Sequence, residues 1–133
     1  VREYKIATDL APRFVQAYNN LGVTYVQLGV YEEARVAYQR AILLDSTAVD
    51  AYNNLAWLYV EHGTNLDRAY NLATQAVKMA PTAVSYETLG VVLNVRGDYQ
   101  QADNAIDRAL RLDPNNIMLE QRWNQVKATR NQQ

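Results

Sequence analysis

The sequence predicts an all-α solenoid, a row of helix-turn-helix hairpins stacked side by side, and three observations carry that expectation. Residues of one character return every 34 positions, as in Tyr18, Tyr52 and Tyr86, then Leu21, Leu55 and Leu89. Within each return the apolar residues stand at i, i+3, i+4 and i+7, one stripe of an α-helix. Helix-ending residues fall between the stripes, Gly29, Gly63 and Gly97 at the same period and Ser46, Pro81 and Pro114 within one residue of it. A period in this range marks stacked supersecondary units rather than one irregular globule.

The first helix of each hairpin is defined by four columns. Tyr18, Leu21, Gly22 and Tyr25 recur as Tyr52, Leu55, Ala56 and Tyr59, and again as Tyr86, Leu89, Gly90 and Leu93. The small residue of the third column predicts close approach of a partner helix. Gly29, Gly63 and Gly97 then end the helix, because glycine accepts the left-handed dihedrals of a C-terminal cap. On the second helix Ala34, Ala69 and Ala102 form one column, Ala41, Ala76 and Ala109 a second, and Leu44, Met79 and Leu112 a third. The middle hairpin has one extra turn residue, six steps from Gly63 to Ala69 against five from Gly29 to Ala34, and gives it back before Leu89. Loops absorb such a change more readily than packed helix faces do.

This pattern resembles the tetratricopeptide repeat family, on NLGVTYVQLGVYEEARVAYQRAILLDS and on LGVVLNVRGDYQQADNAIDRALRLDP. The middle repeat departs most, with Ala73 where an aromatic is usual. The resemblance covers residues 15 to 116 and implies a right-handed α-α superhelix of tetratricopeptide repeats that works as a scaffold or adaptor in complex assembly.

Both ends are read from the same register. Tyr4, Ala7, Leu10 and Pro12 reproduce the end of a repeat, so residues 1–14 are expected to be the second helix of a truncated repeat. That end should be uncovered, which predicts an upstream neighbour or a homo-oligomer formed through the N-terminal helix. The opening at Val1 suits a piece of a longer protein. At the other end Trp123 falls in the column of Leu21, Leu55 and Leu89, and Leu119, Trp123 and Val126 form a stripe on an otherwise polar helix. That is a capping helix, one face closing the stack and the other facing water. The chain is thus one solenoid domain over 1–133: truncated repeat 1–14, repeats 15–48, 49–82 and 83–116, and cap 117–133.

The family's concave groove is lined by the first helices on the side away from the core stripe, and the 100° helical step locates it. The first set is Gln16, Asn19, Asn20, Val23, Val26 and Gln27; the second Asp50, Asn53, Asn54, Trp57, Val60 and Glu61; the third Val84, Glu87, Thr88, Val91, Asn94 and Val95. The groove so drawn is expected to contain no Lys or Arg. Family members that clamp the acidic carboxyl tails of chaperones use Lys and Arg there together with Asn, and only the Asn part is present. An apolar or amphipathic helix or peptide of another protein, with basic flanks, is the expected ligand. The asparagines would bond its backbone and Trp57 would be an anchor. The competing reading is inter-repeat packing, strongest for Val23 and Val91.

Composition narrows the function further. The 133 residues are 49% apolar with a formal charge of −1, short of the cationic surplus a nucleic-acid binder needs. No run of about 18 apolar residues occurs, so no direct membrane insertion is expected. There is no cysteine, and His62 is the only histidine, at a helix end beside Gly63. A zinc site or nucleophile-base pair lacks its materials, so no enzyme, metal or cofactor is expected. Glu32, Glu33, Asp103 and Asp107 read as solvated helix positions.

Overall fold

The computed structural model describes the backbone of residues 2–132 and the side chains of 13–132. Those residues form seven helices and no strand: α1 Arg2–Leu28, α2 Tyr31–Leu44, α3 Val49–His62, α4 Leu66–Met79, α5 Ala83–Arg96, α6 Tyr99–Leu112 and α7 Ile117–Asn131. Successive pairs pack as hairpins, and the first helices α1, α3 and α5 also pack on one another. This is the α-α solenoid of stacked hairpins that the 34-residue columns predict.

The columns explain the joints. Gly29, Gly63 and Gly97 take φ of 76°, 63° and 91°, turning the chain out of α1, α3 and α5. The next residue's N–H then reaches back to the carbonyl of the aromatic or leucine column: Val30 to Tyr25, Thr64 to Tyr59 and Asp98 to Leu93, at 3.0, 3.1 and 2.9 Å. Such a cap satisfies carbonyls that the helix end would leave bare. The extra residue of the middle turn is accommodated by Asn65, which adopts the left-handed region at φ 50° immediately before α4. Asparagine tolerates that region better than most residues. Thr82 caps α5 by accepting from the Ser85 N–H, and Asn116 caps α7 by accepting from Leu119.

The alanine columns form the floor of each hairpin: Ala34, Ala41, Ala69, Ala76, Ala102 and Ala109 are all fully buried. The small-residue column on the facing helix varies with what stands opposite. A β-carbon at Gly22 would enter the Tyr38 ring, and one at Gly90 would lie 2.6 Å from Ile106 Cδ1. In the middle hairpin both members are alanines, Ala56 and Ala73, each fully buried. A glycine thus stands where a large Tyr or Ile crosses from the other helix, and an alanine where the opposing residue is only alanine. Close packing of interiors demands such compensation.

The N-terminal segment departs from expectation. A break near Pro12 was expected, yet α1 runs unbroken from Arg2 to Leu28. A hairpin turn is held by the packing of its two helices, and within these 133 residues the segment 2–12 has no preceding first helix to pack against. The side chains of Tyr4, Ala7 and Leu10, on which the truncated-repeat reading rests, lie outside the described residues. Leu21 is 40% exposed, whereas Leu55, one repeat later in the same column, is fully buried. Two clusters make the core, one through α2–α5 around Leu55 and Leu72, the other joining α5, α6 and α7 around Ile106, Leu119 and Trp123.

Candidate functional site, the concave trough

The stacking of α1, α3, α5 and α7 decides which of the expected trough residues remain open. Between α1 and α3 lies a depression of about 350 Å³ lined by Val23, Val26, Gln27, Asn54, Trp57 and Glu61, with Tyr38 and Leu58 at its back. Six of these eight stand on the face located by helical spacing. Val23 and Val26 are exposed and Trp57 half-buried. The Trp57 indole N–H donates to Thr88 Oγ1 at 3.1 Å, so one edge of the ring is fixed to α5 while the rest faces the depression. A tryptophan held by its only polar atom presents a rigid apolar surface at low entropic cost.

Tyr38 and Leu58 were not among the expected lining. Tyr38 belongs to the second-helix column and reaches the trough because Gly22, lacking a side chain, lets its ring cross α1. Burial, with the Glu61 carboxylate adding to it, pushes the Tyr38 phenol up to about 12. It therefore stays a neutral hydroxyl.

The asparagine columns need correction. Asn19 and Asn53 are buried, 8% and 4% exposed, and do not open on the trough. Asn54 Nδ2 donates to Asn19 Oδ1 at 3.0 Å, joining α1 to α3, and Asn53 Nδ2 donates to Ser85 Oγ at 3.3 Å, joining α3 to α5. Thr88 is also buried, accepting from Trp57 and donating to the Val84 carbonyl. These positions sit between neighbouring first helices, where a polar side chain must find a protein partner or bear the desolvation cost. Asn20 remains exposed and accepts from Gln16. Gln16 and Asp50 line a separate hollow of about 210 Å³ near the α2–α3 turn. Val84 and Val95 are exposed, while Val60 and Val91 pack against the two core clusters.

The trough is also not free of cations. Arg122 of α7 bonds Glu87 at 2.7 Å, and Arg130 Nε donates to Asn94 Oδ1 at 2.8 Å. The cap had been read as closing the stack with one face and meeting water with the other. Leu119 and Trp123 are buried and most of α7 is exposed, and because the helix stands in repeat register Arg122 takes the place of Asn54 and Thr88, and Gln125 that of Trp57 and Val91. The 34-residue step, carried past Pro114, is the signal that locates them. Trp123 and Arg130 converge on Asp103, whose Oδ1 accepts from both at 2.8 and 2.9 Å. His62 is exposed, its ring 4.0 Å from that of Tyr31. Among the described residues no cluster of three His, Cys, Asp or Glu side chains is placed to hold a metal, and no helix is long and apolar enough to cross a membrane.

With this geometry in view the family follows. Two tetratricopeptide repeat models match, one over residues 24–63 and the other over 83–116, together more than half the chain. The chain belongs to the tetratricopeptide repeat family. No curated protein sequence matches it. Among solved structures it is similar to the first repeat domain of Spaghetti (RPAP3) bound to the HSP90 peptide SRMEEVD, with 19% identity, a TM-score of 0.80, and 88% of this chain and 95% of that one covered. The first repeat domain of human RPAP3 gives 20% identity and a TM-score of 0.81 over 88% of this chain and 92% of that one. The Arabidopsis OM64 domain gives 18% and 0.80 over 90% and 98%. At such identities the likeness is one of fold.

Proposed function

We propose that this chain is a protein-interaction module that holds a helix or peptide of another protein in its concave trough, and that it assigns no reaction to itself. The observation that carries the reading is the depression between α1 and α3. There Val23, Val26 and a half-exposed Trp57 form one apolar wall, with Gln27, Asn54 and Glu61 as its polar rim. An apolar floor with a few convergent polar groups suits an amphipathic segment. Structures of the same fold holding an HSP90 peptide support the use of such a trough. Their acidic ligand is not carried over, because the one ionised side chain lining the α1–α3 depression is Glu61.

The test is Trp57→Ala in the full chain, titrated calorimetrically with an isolated partner. Truncating a central aromatic anchor should weaken binding by about 2 kcal/mol or more, roughly 30-fold in Kd. Unchanged affinity in a variant that keeps its helical circular dichroism would remove the trough from the function.

A second reading rests on the α1–α2 end of the stack. Leu21 is half-exposed where Leu55 is fully buried, and a cleft of about 260 Å³ beside it is lined by Tyr18, Leu21, Tyr25 and Val36 together with the charged Glu32, Glu33 and Arg40. This favours assembly through the α1–α2 end, with a second copy or a longer solenoid. Sedimentation of the wild type against Leu21→Arg measures it: a monomer in both leaves only the trough reading.

A further inference from the structure

The first helices α3 and α5 each carry a stripe of large apolar residues, and the second helix before each packs on it. On α3 the stripe is Tyr52, Leu55 and Tyr59, all buried. On α5 it is Tyr86, Leu89 and Leu93, where Tyr70 and Thr74 of α4 share one hollow with the stripe and with Gln101 and Asn104 of α6. Subtracting 68 from the α5 and α6 members gives Tyr18, Leu21, Tyr25, Glu33 and Val36, all of which line the cleft at the α1–α2 end. The two places are repeat-equivalent, but among the described residues none that lines the first comes from a preceding second helix.

That cleft has the character of a surface meant to be covered. Val36 is a valine where the later repeats place the exposed asparagines Asn71 and Asn104. Phe14, one turn before Tyr18, lengthens the stripe and is 52% exposed. Glu33 is exposed at the edge and makes no ion pair among the described residues. The chain has one more segment in second-helix register, at residues 2–11. Ala7 stands 34 before Ala41, so Lys5 falls in the column of Gln39 and Thr74. Thr74 shares its hollow with Gln101, the counterpart of Glu33. The register therefore sets Lys5 against Glu33, opposite charges at a place where the later repeat is neutral.

The segment does not reach its own cleft, because α1 runs unbroken through Pro12. A second copy can supply it. Helices α4 and α5 run antiparallel about a turn centred at residue 81, which puts Thr74 level with Thr88. Carried back to the first repeat, this puts Lys5 level with Asn20. Two antiparallel copies of α1 meet that condition about a twofold axis between Pro12 and Arg13, with residues 2–11 of each along 14–23 of the other. We infer that this chain pairs with a second copy by exchanging residues 2–11, each segment covering the Phe14, Tyr18, Leu21 and Tyr25 stripe of the other with Lys5 against Glu33. The inference rests on the α1–α2 assembly reading above and adds the occupant, its register and its symmetry. The same patch serves on both copies, so the pair is closed. Burial of both stripes offsets the backbone hydrogen bond that a proline inside a helix forfeits.

The chain has no cysteine, so introduced cysteines report proximity without background. Full chains carrying Lys5→Cys are mixed in urea with chains carrying Val36→Cys, refolded together at high concentration and treated with a short bismaleimide. The mixture should give a crosslinked dimer, and neither variant alone should give one. In sedimentation, Lys5→Glu and Glu33→Lys should each weaken the dimer about 10-fold, since two pairs are lost at once, and the chain with both changes should recover. A dimer that Leu21→Arg dissociates, but that gives no crosslink between Lys5→Cys and Val36→Cys chains or no recovery on exchanging the charges, overturns the exchanged segment and leaves assembly through the α1–α2 end standing. A monomer at every concentration overturns both, whether the chain with both cysteines crosslinks within itself, its segment folded back on its own cleft, or not at all.

Discussion

Replacing Gly90 with alanine should destabilise this protein, although alanine is the better helix former. The added β-carbon would lie 2.6 and 2.7 Å from Ile106 Cδ1 and Cγ1 and 3.3 Å from the Ala102 carbonyl oxygen. Carbon atoms in favourable contact sit about 3.5–4.0 Å apart, so the overlap is roughly 1 Å. Ile106 is fully buried and the backbone oxygen cannot retreat, which puts the overpacking cost near the upper end of its usual span, about 3 kcal/mol. Better helix propensity returns about 1 kcal/mol. The net loss is about 2 kcal/mol, or some 8 °C in Tm at roughly 4 °C per kcal/mol. Ile106→Ala alone should cost about 3–4 kcal/mol. With Ile106 truncated the obstruction is gone, and Gly90→Ala should then stabilise by up to about 1 kcal/mol. The double variant reproduces the Ala56 and Ala73 pair of the middle hairpin. Urea unfolding followed by far-UV circular dichroism on all four chains gives a coupling of about 3 kcal/mol, large for neighbouring residues. Equal destabilisation by Gly90→Ala in both backgrounds would refute the volume-compensation argument.

Further predictions follow from single contacts. Asp103→Asn removes the carboxylate that holds Trp123 and Arg130, so α7 should open locally at a cost of about 2 kcal/mol. Hydrogen exchange should accelerate over 117–131 and stay unchanged in α3 and α4. The Tyr38 phenol titrates near 12 in the folded chain against an unfolded value of about 10. Its contribution is intact below pH 10 and drains away as pH rises through 12. Discounted for screening at the trough edge, that is about 1–2 kcal/mol. Tyr38→Phe should flatten this alkaline decline in denaturant midpoint.

The repeat architecture was legible because its causes are local and recur. Glycine at Gly29, Gly63 and Gly97 is required by positive φ, the alanine columns by close helix approach, and they leave marks every 34 residues or within one of that. The trough was only half legible. Asn19 and Asn20 both lie on the half-turn opposite the core stripe, yet the first is buried against Asn54 and the second faces solvent. One helical step of 100° separates an inter-helix position from an open one, and the stacking angle between hairpins decides which is which. Helical phase within one segment does not contain that angle. Arg122 and Arg130 escaped for a different reason: a polar helix after the last repeat reads as a lid, and only its alignment with α5 turns two of its cations inward.

The polar links between consecutive first helices, Asn54 to Asn19, Asn53 to Ser85 and Arg122 to Glu87, have a mechanical consequence. Sliding one hairpin along its neighbour by a single residue, about 1.5 Å, pulls a buried amide off its acceptor and puts nothing in its place. Rotating a hairpin about the same contact line stretches these bonds far less. On these contacts the stack resists sliding of its hairpins more than their rotation, and the width of the trough is its softer dimension.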